Sequence, residues 1–141
     1  MRIYYCFKIK KEFISLYKDT PSTLYNILNQ LYYIRKNDLN YGYTLFSQIV
    51  DPIDKAHIDK KIYIKLHTKM RYSKRKDEHI INNLYKDEVS IMKVRNTYIL
   101  INSNKSCTEF FELLGSLNKE LFVCDFTNND YFFLSSIKML V

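Results

Sequence analysis

The apolar positions near the N-terminus change their spacing within twenty residues. Residues 2–9 (RIYYCFKI) are dense in β-branched and aromatic types over the length of one strand, which predicts a strand buried on at least one face. Residues 10–18 (KKEFISLYK) then place Phe13, Leu16 and Tyr17 at helical intervals. The sequence therefore predicts a strand that leads directly into a short helix.

Two cap-and-proline signals mark further helices. Asp19-Thr20-Pro21 ends the first helix and begins a second, because Thr20 can cap free amides and proline suits the first helical position. Asp51-Pro52 repeats the signal and predicts a helix that reaches Leu66. The apolar run at residues 43–50 favours helix over strand, residues 69–76 predict a basic connector, and residues 78–85 predict a short helix.

The last third of the chain predicts two hairpins with a helix between them. Apolar runs at residues 89–94 and 98–101 flank a short polar turn at Arg95-Asn96. Ser106 and Glu109 match a capping box, which predicts a helix from there to Leu117. Residues 121–126 and 130–134 predict a closing hairpin.

This order of elements predicts the α+β class. The expected architecture is an α/β two-layer sandwich, in which helices pack on one mixed sheet of about five strands. No repeat or Pro/Gly/Ser-rich linker divides the chain, and 141 residues suit one core, so we expect a single domain over residues 1–141.

Charge leaves two classes of partner open. The formal net charge of +7 is what a protein that binds nucleic acid or an acidic protein would carry. The excess is nearly all lysine and accompanies abundant Ile, Asn and Tyr, which is also the bias that an AT-rich genome imposes. Local clusters of charge are therefore more informative than the total.

The sequence predicts a cytoplasmic protein. No stretch approaches the roughly 20 uncharged apolar residues of a membrane span. Lys8 interrupts the N-terminal apolar residues before a signal-peptide core could form. Cys6, Cys107 and Cys124 are odd in number and widely spaced, which favours reduced thiols over a disulfide framework.

No constellation of residues predicts catalysis. His57, His67 and His79 match no metal-binding spacing, and two glycines cannot build a phosphate-binding loop. Cys124, in an apolar run, is better explained as a core thiol than as a nucleophile. We therefore expect no enzyme activity, no metal site and no cofactor.

Two segments are candidates for partner contact. Residues 69–76 combine five cations with a tyrosine, as a phosphate-tracking and base-stacking loop would, although a solvated connector looks the same. The residues concerned are Lys69, Arg71, Tyr72, Lys74, Arg75 and Lys76. The second candidate is the pair Phe13 and Tyr17, which are left partly exposed if Ile14 and Leu16 serve the core.

The order of aromatic residues at both ends of the chain resembles the SirA family, the sporulation inhibitors of replication. At the N-terminal end the matching residues are Tyr4-Tyr5, Ile9-Lys10, Glu12-Phe13 and Tyr17. A middle anchor is Ile49 with Pro52-Ile53, and the C-terminal matches are Phe110-Phe111-Glu112, Leu114, Phe122, Asp125-Phe126, Tyr131, Leu134 and Lys138.

The resemblance implies a small, non-catalytic α/β protein that binds domain I, the N-terminal domain, of the replication initiator DnaA and restrains initiation. It implies that Phe13 and Tyr17 lie on the DnaA-binding surface. A second contact region would fall at residues 45–48, here Leu45 to Gln48, with Gln48 where the family pattern has a tyrosine. This function requires no small-molecule substrate and no membrane or nucleic-acid contact. The alternative is a small basic nucleic-acid-binding protein that uses residues 69–76.

Overall fold

The computed structural model describes residues 1–37 and 46–137. The strands are β1 Arg2–Lys8, β2 Tyr72–Arg75, β3 Glu78–Asn83, β4 Glu88–Val94, β5 Ile99–Ser103, β6 Leu121–Asp125 and β7 Asp130–Phe133. The helices are α1 Lys11–Tyr17, α2 Pro21–Asn37, α3 Lys55–Leu66 and α4 Glu109–Leu117, with a 3-10 turn at Leu134–Ser136. Residues 46–49 are also helical.

All seven strands form one sheet in the order β2-β3-β4-β5-β1-β6-β7. Every pairing of neighbours is antiparallel. The α+β class is therefore confirmed, whereas the expected mixed sheet of about five strands is wrong. The two additional strands are β2 and β3, which form a hairpin where the sequence predicted a connector and a helix.

Helices cover both faces of this sheet, so the predicted two-layer arrangement is also wrong. Tyr4 and Cys6 of β1 lie in one core with residues of α3 and α4, and Phe7 lies in a second core with residues of α2. Successive side chains of a strand point to opposite faces, so a strand buried on both faces has no polar alternation. This is why residues 2–9 form a nearly continuous apolar run.

Two helices begin later than the sequence predicted. The N-cap of α3 is Asp54 rather than Asp51, and its side chain accepts a hydrogen bond from the His57 amide. The N-cap of α4 is Thr108, whose Oγ1 accepts from the Phe110 amide. The predicted Ser106–Glu109 capping box is therefore wrong, because Glu109 directly follows the N-cap instead of lying three residues after it.

The sheet separates the molecule into two ends. β1 runs from Arg2, which pairs with Ser103 at the end of β5, to Lys8, which is followed by α1. Ser103 also pairs with Ser90 near the start of β4. The β3–β4 connection therefore lies at the Arg2 end of the sheet, and α1 lies at the other end.

Candidate partner-binding surface

Helix α1 is short and lies on the outside of the molecule. It has seven residues, none of them buried, and its N-cap Lys10 makes no side-chain hydrogen bond. An isolated helix of this length is not stable in water, so tertiary contacts must hold it. Phe13, Ile14 and Tyr17 provide them, because all three are partly buried against the core of the α2 face.

Phe13 and Tyr17 form a stacked aromatic pair along this helix. Their ring centroids are 6.3 Å apart and their planes differ by 18°. The i,i+4 spacing brings the two side chains together on one helical face. Because both rings are only partly buried, the pair rests on the core and still presents aromatic surface to solvent.

Leu16 extends this apolar surface outward. Its side chain is 64% exposed, so Leu16 does not serve the core with Ile14, which was the condition under which the sequence left the two aromatic residues partly exposed. Leu16 comes three residues after Phe13, so the two side chains are neighbours on the helix surface, with Leu16 on the side away from the core. Sequence reasoning did not place Leu16 among the candidate contacts, since spacing alone does not show which side of a short helix is covered. We call Phe13, Leu16 and Tyr17 the α1 surface.

Backbone hydrogen bonds join the segment at residues 46–51 to residues 8–10, just before α1. The Lys10 amide donates to the Ile49 carbonyl at 2.9 Å, and the Asp51 amide donates to the Lys8 carbonyl at 2.7 Å. Within this segment Ile49 is buried and Gln48 is exposed. The structure therefore brings the segment that contains Gln48 next to the start of α1, while Leu45 lies outside the described residues.

Charges of both signs border the α1 surface. The exposed cations are Lys11 and Lys18, and the exposed anions are Glu12 and Asp19. A partly apolar centre with a charged border is the usual anatomy of a protein–protein interface.

In the basic segment at residues 69–76, unlike in α1, one candidate contact residue is paired within the protein. Arg71 forms a forked ion pair with Glu109, in which Nε donates to Oε1 at 2.8 Å and Nη2 donates to Oε2 at 2.5 Å. The hydrogen bonds to Glu109 raise the pKa of Arg71. This guanidinium is therefore paired with a carboxylate of the same chain, which offsets the charge that a phosphate would need.

Tyr72 belongs to a polar chain that reaches into the protein. Its hydroxyl lies 2.8 Å from Nδ1 of His79, and Nε2 of His79 lies 2.7 Å from Oδ1 of Asp59. Nζ of Lys55 donates to the other carboxylate oxygen of Asp59 at 2.8 Å. A neutral imidazole that accepts from Tyr72 and donates to Asp59 satisfies every member of the chain.

Burial sets the protonation of this chain. It lowers the pKa of His79, against the attraction of Asp59, and it raises the pKa of Tyr72 to about 12. Burial also acts to raise the pKa of Asp59, but the hydrogen bonds from Lys55 and His79 outweigh it and leave that pKa below its ordinary value. His79 is buried at the centre of this chain of hydrogen bonds. It is thus a structural residue, which the sequence did not distinguish from the exposed His57 and His67.

The other four residues of the basic segment remain exposed: Lys69, Lys74, Arg75 and Lys76. Nζ of Lys74 lies 6.0 Å from the ring centroid of Tyr63 on α3, within reach of a cation–π contact. The structure therefore divides the six predicted residues into two that hold the β2 strand in place and four that face solvent.

The thiols and carboxylates of the described residues form no metal cluster. Cys6 and Cys124 are buried, which raises the pKa of each thiol, and Cys107 is exposed. Within residues 1–37 and 46–137, no helix has both the length and the apolar content to cross a bilayer.

A sequence profile described as "Sporulation inhibitor of replication protein SirA" matches residues 2–138. The chain belongs to the SirA family. The match extends through the middle of the chain, so the resemblance at its two ends is confirmed and now includes the β2–β3 hairpin. No curated protein matches the chain. Membership assigns the chain a regulatory role as an inhibitor of replication initiation.

Proposed function

We propose that this protein is a non-catalytic, stoichiometric regulator that docks its α1 surface onto domain I of DnaA and so restrains initiation. The observation that carries the proposal is the stacked Phe13–Tyr17 pair on a helix without a buried residue. The family role as a replication inhibitor is compatible with occlusion of an initiator surface that other partners require.

The chemistry of the α1 surface suits such a contact. Aromatic side chains at the centre of an interface are the usual hot spots, and each is worth on the order of 2 kcal/mol or more on truncation. The stacked pair is held in place by the core, so little conformational freedom is lost when a partner covers it. Leu16 enlarges the apolar area, Gln48 remains a predicted contact beside it, and Leu45 remains a predicted contact outside the described residues.

Binding of the purified protein to DnaA domain I of the source organism tests the proposal. We expect Phe13→Ala to weaken binding by at least about 2 kcal/mol, a loss of roughly thirtyfold in Kd, because it removes an interface anchor. Isothermal titration calorimetry measures the affinity. Circular dichroism and the melting temperature check that the variant is folded.

Tyr63→Ala is the matched control, because Tyr63 is an exposed aromatic residue on a different helix. It should leave the affinity for domain I unchanged. Equal loss of affinity in both variants, or wild-type affinity in a folded Phe13→Ala protein, would contradict the proposed docking surface.

A further inference from the structure

Three large apolar side chains are almost fully exposed on turns at the Arg2 end of the sheet. Met70 and Tyr85 are each 103% exposed and Leu84 is 87% exposed. Turns are normally built from Gly, Asn, Asp, Ser and Pro, and a group of exposed apolar residues marks an interaction site more often than isolated ones do. We call these three residues the distal tip.

Hydrogen bonds hold the two turns of the distal tip in place. Oδ1 of Asn83 accepts from the amides of Tyr85 at 3.1 Å and Lys86 at 3.3 Å, which fixes the turn after β3. The Tyr72 amide donates to the Lys69 carbonyl at 3.2 Å across the turn that contains Met70.

The β2–β3 pairing places these two turns side by side. The Asn82 amide donates to the Arg71 carbonyl at 2.8 Å, one residue beyond the last pair of the strands. Met70 is the next residue outward on one side and Asn83 on the other, and Leu84 and Tyr85 follow Asn83 directly, so the three exposed residues lie at the same end of the hairpin.

A cleft of about 760 Å³ adjoins the distal tip between α3, α4 and the β3–β4 turn. Lys65, Lys69 and Lys86 line it, and no carboxylate of the described residues lies within 4.0 Å of their ammonium groups. Arg71 is neutralised by Glu109, which leaves the exposed Glu112 and the buried Glu88 as the other carboxylates of the lining. Three lysines therefore stand against two carboxylates, so the cleft has a formal excess of one positive charge, and the partly buried Leu113 supplies apolar surface.

We propose that the distal tip and this cleft form a second protein-docking surface, whose partner is an extended segment that carries both carboxylates and apolar side chains. The carboxylates would pair with Lys65, Lys69 and Lys86, and the apolar side chains would cover Met70, Leu84 and Tyr85. This proposal does not depend on the DnaA contact, because the distal tip and the α1 surface lie at opposite ends of the sheet.

A protein segment fits this surface better than a bilayer or a nucleic acid. The cleft is concave, so an extended chain can enter it, whereas a planar membrane surface would leave it empty. Glu112 in the cleft and Asp87 in the turn are exposed carboxylates. A peptide can place its few carboxylates on the lysines and away from these two groups, whereas the closely repeated phosphates of a lipid surface or a nucleic acid cannot avoid them.

Selection of random phage-displayed peptides on the immobilised full-length protein tests this inference. Peptides synthesised from the enriched clones are then titrated by fluorescence anisotropy against the wild type and against Leu84→Ser/Tyr85→Ser. We expect peptides that combine acidic and apolar residues to bind at least about tenfold more weakly to the double variant. They should also bind more weakly to Lys69→Glu/Lys86→Glu, a charge reversal at exposed positions, and at higher salt.

Leu16→Ser is the matched control, because it removes an exposed apolar side chain from the α1 surface and should leave peptide binding unchanged. The inference is overturned if no enriched peptide depends on the distal tip, or if those that do are basic or uncharged. It is also overturned if phosphatidylglycerol vesicles or duplex DNA bind the wild type and lose binding with the tip substitutions, since the surface would then serve a membrane or a nucleic acid.

Discussion

The α1 surface and the basic segment at residues 69–76 both look like contact sites in the sequence, and the structure treats them differently. Phe13 and Tyr17 rest against the core and still face solvent, since no residue of α1 is buried. Arg71 and Tyr72 instead contact Glu109 on α4 and His79 on β3. A side chain is available to a partner only when its own fold has not already used it, and distant elements decide that.

The largest expected change in stability comes from a substitution that breaks the chain of hydrogen bonds behind Tyr72. His79→Ala should lower the free energy of unfolding by about 3 kcal/mol, because it opens a cavity and leaves the Tyr72 hydroxyl and the Asp59 carboxylate without their partner. Urea denaturation followed by circular dichroism measures the change. His57→Ala, at an exposed histidine of α3, is the control and should stay within about 0.5 kcal/mol of the wild type. A change for His79→Ala as small as that expected for His57→Ala would show that the buried polar chain is not stabilising.

A smaller loss of stability is expected when the pH is lowered. Because the pKa of His79 is lowered in the folded state, the unfolded chain binds more protons once the pH falls below about 6.5. Stability should therefore decrease as the pH falls from about 7.5 to about 5.5. His79→Gln keeps polar atoms but cannot titrate, so its melting temperature should fall less over that interval. An equal fall in both proteins would assign the acid sensitivity to other groups.

The smallest expected effect is at the α1 surface. Leu16→Ser should change the free energy of unfolding by less than about 0.5 kcal/mol, because the side chain is mostly solvated in the folded protein. Thermal denaturation checks this value. A loss comparable with that of His79→Ala would mean that α1 is part of the core, and the contrast between the two segments would fail.

Much of the fold could be predicted because its signals are local. β1 was predicted from its dense apolar run, α2 from Pro21 at its first position, and the β6–β7 hairpin from the polar turn between its strands. The β2–β3 hairpin was missed. β2 is an edge strand with exposed Lys74 and Arg75, and β3 carries a buried histidine where a strand pattern normally has an apolar residue.

The candidate site was predicted only in part. The pairing of Phe13 with Tyr17 follows from helical spacing, and the structure has the two rings stacked. The exposure of Leu16 and the exposed turn residues Leu84 and Tyr85 had no recognisable signal, because apolar residues at those positions are usually assigned to a core. The buried carboxylate of Glu88 also had no recognisable signal, since it accepts a hydrogen bond at 2.6 Å from the hydroxyl of Thr108, the N-cap of α4, twenty positions along the chain.

The sequence by itself determined the α+β class, the strand-to-helix order at the N-terminus and the membership of the SirA family. Backbone propensity, caps and apolar spacing act between residues a few positions apart, so they can be read without knowing what lies nearby in space. The tertiary structure alone decided which polar and aromatic side chains are still exposed. That choice depends on contacts such as Arg71 with Glu109, whose partners are 38 positions apart in the chain.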